Sequence, residues 1–107
     1  MLHLKPNKKS PKAWFCGPWN CGLKIAIGYA NQGISEKHYH KKIHEIYLVA
    51  KGTSTAMVNK KKIQLKAGDI LVVEPNEIHT FIKNSSDYFH FVVHSPCVKK
   101  DKIIVKK

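Results

Sequence analysis

Apolar and polar residues alternate with a period of two through much of this chain. Leu23, Ile25, Ile27 and Tyr29 fall on one side of a segment whose other side carries Lys24, Ala26, Gly28 and Ala30, the pattern of a half-buried strand. Asn31-Gln32-Gly33 turns the chain, and His38 to His40 opens the next strand. Ile46 to Ala50 is a β-type run that ends at Lys51-Gly52. Thr53 to Asn59 reads as a strand, Asn59-Lys60-Lys61 as a hairpin tip, and Ile63 and Leu65 alternate with lysines on the return. Ala67-Gly68-Asp69 turns again, ahead of the buried run Ile70 to Val73. Glu74-Pro75-Asn76-Glu77 is a further turn, where asparagine tolerates a left-handed backbone. His79 to Ile82, Tyr88 to His94 and Lys102 to Val105 complete the strands. In the second of these, the alternation predicts Phe89, Phe91 and Val93 toward the core and His90 outward. No segment carries a helical period. Many short strands with frequent turns predict an all-β sandwich or barrel.

The first 22 residues stand apart. Met1 to about residue 13 is polar and interrupted by Pro6 and Pro11, an irregular arm that is loose or laid along a sheet edge. Trp14-Phe15-Cys16-Gly17-Pro18-Trp19 is aromatic and turn-rich, and is expected to plug one end of the barrel. The division is therefore an arm over residues 1–22 and a barrel over 23–107, within one domain: 107 residues hold one core but not two.

Composition narrows the partners. An apolar content of 43% is ordinary for a globular chain. No apolar run approaches the roughly 20 residues of a membrane span, and the basic start leads into no signal-peptide core, so no membrane role and a cytoplasmic location are expected. The net charge is +12 and every cation is lysine. Arginine, the better bidentate reader of bases and phosphates, is absent, and the lysines are scattered without a nucleic-acid module around them. No specific nucleic-acid partner is expected. The charge still favours an anionic substrate through long-range steering. Cys16, Cys21 and Cys97 are odd in number, and four residues separate the first two, which is not a zinc-knuckle spacing. Reduced thiols are expected.

The chemistry concentrates between Gly33 and Gly52. His38 and His40 lie two apart, so on a strand they aim at one point, and neutral imidazole ligates zinc, copper, iron and nickel. A His-x-His pair alone is compatible with a solvated polar run. A following carboxylate and bounding glycines make it a candidate metal site that needs a further ligand. Glu45 stands five residues after His40, an odd offset, and faces away from the histidines on an unbroken strand; His44, four residues on, shares their face. Either His44 is the third ligand on one long strand, or the chain bends at Lys41-Lys42-Ile43 and Glu45 swings in. His79 opens a strand after a tight turn, with Phe81 on the same face. A lone histidine there is more often structural, but a second glycine-bounded segment surrounds this one.

These two segments resemble the two motifs of the cupin superfamily, as found in small single-domain cupins. Gly33, His38, His40, Glu45 and Gly52 match the first, with the interval after Gly33 one residue short. Gly68 and His79 match the second, where Glu74 stands for the usual proline, Asn76 for the glycine and Lys83 for the asparagine. The resemblance implies a double-stranded β-helix, the small jelly-roll barrel. It implies one divalent metal ion (iron, manganese, nickel or zinc) on His38, His40, Glu45 and His79, and it favours Glu45 over His44, which becomes a rim or outward residue. With Glu45 inward, the substrate pocket is expected to be lined by Ile25, Ile27, Tyr29, Tyr47, Val49 and Phe81. The implied functions are a metal-dependent enzyme on a small molecule (dioxygenase-, decarboxylase- or isomerase-like) or a non-catalytic small-molecule-binding or sensing cupin. No catalytic residue beyond the metal is visible. Ile46, Leu48, Ala50, Thr80 and Ile82 then face outward, and a homodimer is expected to cover them.

Overall fold

A computed structural model describes residues 1–106. Ten strands run in chain order: β1 (Lys12–Cys16), β2 (Ala26–Ala30), β3 (His38–His40), β4 (His44–Lys51), β5 (Thr53–Val58), β6 (Lys61–Lys66), β7 (Ile70–Val73), β8 (His79–Asn84), β9 (Phe89–Ser95) and β10 (Lys102–Ile104). They form two five-stranded antiparallel sheets, ordered β1-β2-β9-β4-β7 and β10-β3-β8-β5-β6. This is the all-β jelly roll, the double-stranded β-helix that the sequence motifs imply. The aromatic segment expected as a plug instead contributes β1, an edge strand paired with β2.

Turn chemistry lies where the sequence places it. Asn59 (φ 55°) closes the β5–β6 hairpin and Asn76 (φ 71°) the turn into β8, both residues that accept a left-handed backbone at low cost. Gly52 (φ 77°) joins β4 to β5.

The core lies between the sheets, where Tyr47, Val49, Ala56, Leu65, Val73, Phe81, Tyr88 and Val92 are buried together. Each fully buried Val, Leu or Phe contributes roughly 1.5–3 kcal/mol. Phe81 also explains a motif glycine: a Cβ on Gly33 would lie 2.1 Å from its ring, so only glycine lets the chain pass.

Two strands present the opposite faces to those their alternation predicts. On β9, His90 and Val92 are buried between the sheets, and Phe89, Phe91 and Val93 turn outward. On β2, the inward residues are Ala26, Gly28 and Ala30, in register with His94, Val92 and His90. Ile27 and Tyr29 pair with Val93 and Phe91 on the outer face. The large apolar residues mislead because that outer face is itself covered. Phe15 packs on Tyr29 (5.0 Å between centroids) and Phe91 (6.2 Å), and Tyr29 stacks on Phe89. The Tyr29 hydroxyl pins the arm by accepting from the Asn7 N–H at 3.0 Å. The small inward residues of β2 leave room for Trp14, whose ring lies 2.8 Å from where a Cβ on Gly28 would stand. Farther along the same outer face, Ile70 and Val72 on β7 remain exposed, at 61% and 48%.

Candidate metal centre

His38 and His40 sit on β3 and His79 on β8, all in the second sheet; Glu45 sits on β4 in the first. The chain changes sheets between His40 and His44, and this resolves the parity problem. The bend at Lys41-Lys42-Ile43 resets the alternation, so Glu45 is buried and His44 exposed. Asp101, beside β3 just before the start of β10, holds the bend: its carboxylate accepts the backbone N–H groups of Lys42 and Ile43, each at 3.0 Å.

The four expected ligands converge. His38, His40, Glu45 and His79 are all buried, and one donor atom from each lies within 4.8 Å of the others. Glu45 Oε1 is 2.8 Å from His79 Nε2, 3.2 Å from His40 Nε2 and 3.6 Å from His38 Nε2. Two backbone carbonyls set the tautomers. His38 Nδ1 donates to Glu36 O at 2.7 Å, and His79 Nδ1 to Glu77 O at 3.0 Å. A carbonyl only accepts, so the proton of each neutral ring is on Nδ1 and the Nε2 lone pair points at the cluster. Lone pairs aimed at a buried carboxylate repel it; a cation between them satisfies both. The donor set therefore fits a divalent metal. His40 Nδ1 is the buried polar side-chain atom without a partner among the described residues.

Electrostatics agree. Burial alone would raise the Glu45 pKa, but the imidazoles of His38, His40, His79 and His94 gathered around it outweigh burial and hold the carboxyl well below its usual range, so Glu45 is a carboxylate. Burial, and then the Glu45 charge, raise the Tyr47 pKa well above its ordinary value, so its hydroxyl stays protonated.

His94 is the residue that sequence reasoning missed. It faces Glu45 across the β4–β9 ladder, and its Nε2 lies 2.7 Å from the second carboxylate oxygen, Oε2. Its signal was the even spacing from His90 on one strand, visible only once that strand's inward face is known. Trp14 packs edge-on against it at 4.6 Å.

The cluster opens into a cavity of about 490 Å³, bordered by His38, His40, Glu45, Tyr47, His90 and His94 among others, within the size range of small-molecule sites. Of the six residues expected to line a pocket, Tyr47 borders this cavity with an inward side chain and Tyr29 borders it from β2 while its ring lies on the outer face; Ile25, Ile27, Val49 and Phe81 do not border it. Ile27 is on the outer face, for the reason given above. Val49 and Phe81 point inward but belong to the packed core beyond Tyr47. The cavity is more polar than expected because His90 and His94 take places assigned to aliphatic residues.

The model of the cupin domain matches residues 27–95. The chain belongs to the cupin family. Solved structures agree in fold. A cupin-like protein from Thermotoga maritima superposes with a TM-score of 0.74 at 16% identity, over 90% of this chain and 75% of its own. Pac13, a nucleoside dehydratase, does so with a TM-score of 0.68 at 16% identity, over 98% and 92%, and a Streptomyces Pac13 structure with uridine is equally similar. KdgF from a Halomonas species gives 0.63 at 14% identity, over 82% and 79%. No curated protein matches this cupin in sequence. Among the described residues, no helix is long and apolar enough to cross a membrane.

Proposed function

We propose that this cupin is a metal-dependent enzyme acting on a small organic molecule, with one divalent ion held by His38, His40, Glu45 and His79. The observation that carries the reading is the convergence of three imidazole Nε2 atoms and Glu45 Oε1, of which His38, His40 and Glu45 stand at the wall of a cavity, with two of the rings locked in the ligating tautomer. A bound ion of this kind supplies Lewis acidity toward a substrate or water oxygen at its open positions. The chain's own groups do the rest. Glu36 O and Glu77 O orient the rings, His94 holds the far oxygen of Glu45, and Tyr47 offers a protonated hydroxyl at the cavity wall. Iron(II), manganese, nickel and zinc all suit these donors. Pac13, a nucleoside dehydratase of the same fold, supports an enzymatic use of the barrel.

Metal analysis of purified protein tests this. Wild type should carry about one divalent ion per chain, and His79→Ala should lose it. Metal in His79→Ala equal to wild type would refute the site. Chelation should leave the circular dichroism unchanged, because the core at Tyr47, Val49 and Phe81 is independent of the cluster; unfolding would mark the ion as structural instead.

We also read the outer face of the first sheet as the surface of a homodimer. Ile70 and Val72 lie exposed beside Ile46 and Leu48, a patch of the kind that self-association covers. Light scattering should return twice the chain mass, and Val72→Lys should return the monomer. A monomeric wild type at high protein concentration and moderate salt would end this reading.

A further inference from the structure

The charge around the cavity is unbalanced in a way the metal centre does not use. Two carboxylates border it, Glu45 and Asp101, and both are committed within the protein. Glu45 faces four imidazoles, and Asp101 takes the backbone N–H groups of Lys42 and Ile43. Three lysines border the same cavity: Lys12, Lys100 and Lys102. Lys102 is paired with Glu36 at 2.6 Å. Among the described residues, Lys12 and Lys100 have no carboxylate within ion-pair distance.

Their placement is specific. Lys12 opens β1, the edge strand of one sheet, and Lys100 stands two residues before β10, the edge strand of the other. The cavity thus has a free cation on each of its two bordering edges. Lys100 also holds a left-handed backbone, with φ of 56°, a conformation that costs a lysine more than it costs the asparagines that adopt it elsewhere in this fold. Such a residue persists only where its surroundings hold it, and the neighbouring Asp101 is anchored to the β3–β4 bend. Unpaired charge of one sign at the mouth of a cleft concentrates ligands of the other.

We infer that Lys12 and Lys100 form an anion-binding mouth to the metal centre, and that the substrate is a small organic anion with a terminal carboxylate or phosphate. The inference rests on the proposed metal site only for where the rest of the substrate goes; the mouth itself binds with or without the ion. The lysine head groups hold the anionic end by charge-assisted hydrogen bonds, and the body of the ligand lies along Trp14 and Val92 toward His38 and His40.

The test uses three probes of one size, benzoate, phenyl phosphate and benzamide, followed by tryptophan fluorescence at fixed ionic strength. Trp14 borders the cavity and reports binding. Metal-loaded and chelated wild type are compared with the double variants Lys12→Gln/Lys100→Gln and Lys60→Gln/Lys62→Gln. The second variant removes the same charge from exposed positions outside the cavity lining. At least one anion should bind about tenfold or more tightly than benzamide in both wild-type samples, and the tighter anion names the group. The mouth variant should lose that preference about tenfold, and the distant variant should keep it. Equal binding of anions and amide overturns the inference. So does a preference that survives in the mouth variant, which places the anion on the metal, or one lost equally in both variants, which makes it a property of net charge. Metal content is measured on the same samples, so a chain that takes up no metal refutes the metal site while lysine-dependent binding still stands or falls by itself.

Discussion

Histidine is used in two opposite ways on either side of Tyr47, whose ring lies 6.4 Å from that of His79 and 5.0 Å from that of His90. Around Glu45, four imidazoles point nitrogen atoms at one carboxylate. On the other side, His90 shares a 2.7 Å hydrogen bond with Tyr88 and packs against the rings of Tyr47 and Phe81, at 5.0 and 5.6 Å. Burial lowers the His90 pKa to about 4, with only a partial offset from the Glu45 charge. The ring is neutral and behaves as a polar aromatic of the core. Burial of a histidine, then, does not make a site. A buried carboxylate that several imidazoles face does, because the group as a whole needs a cation.

The largest effect should come from removing that carboxylate's charge. Glu45→Gln keeps the shape and should lower divalent-metal affinity by more than about 100-fold, since even outer partners of metal ligands are worth about 10–100-fold. A competition titration with a chromophoric chelator measures this. Unchanged affinity would mean that the two histidine groups do not differ as described.

Acid should then expose the other side of the contrast. The folded pKa of His90 lies below its ordinary 6.5, so the unfolded chain takes up the proton first as pH falls. The full contribution is present above about pH 6.5 and is lost on the way to pH 4, by up to about 3 kcal/mol. His90→Asn keeps a polar partner for Tyr88 and removes the titration. Denaturant melts of metal-free wild type and His90→Asn at pH 7 and pH 4.5 should show the variant losing less stability to acid. Parallel losses would assign the acid sensitivity to the Glu45 cluster alone.

The smallest effect belongs to the fourth imidazole. His94 touches Glu45 through Oε2 and is not among the four converging ligands, so His94→Ala should weaken metal binding about 10–100-fold without abolishing it. His94→Gln, which can still donate to Oε2, should recover part of the loss. A complete loss in His94→Ala would make His94 a ligand.

Much of this could be read before any coordinates. The turns at Asn59 and Asn76, the strand segments from β2 onward and the four converging residues follow from local pattern and motif spacing, whereas β1 reads as a plug. What escaped depended on which strands lie side by side. Glu45 and His44 could not be separated by parity, because parity holds only along an unbroken strand and the chain changes sheets at Lys41-Lys42-Ile43. Phe89, Phe91 and Val93 looked like core because alternation reports an apolar face without saying which side it covers; here Phe15 and Tyr29 make the outer side apolar too. His94 could not be assigned at all, since its partnership with Glu45 exists only through the register of β4 and β9. Lys12 and Lys100 lie far apart in sequence, and only the two sheet edges bring them to one cavity.

Glu45 meets His79 across 34 residues and His94 across 49. Pairings of that separation carry a large loop-closure cost before they return anything, and in β-sheet proteins they make folding slow. We expect the centre to be completed after the local hairpins and past the main barrier, an order that refolding rates with and without the ion would check. An interaction absent from that barrier alters the rate of leaving the native state and not the rate of reaching it. The ion should make this barrel persist longer without helping it fold, so a cell short of metal would accumulate the same folded chain with a shorter lifetime.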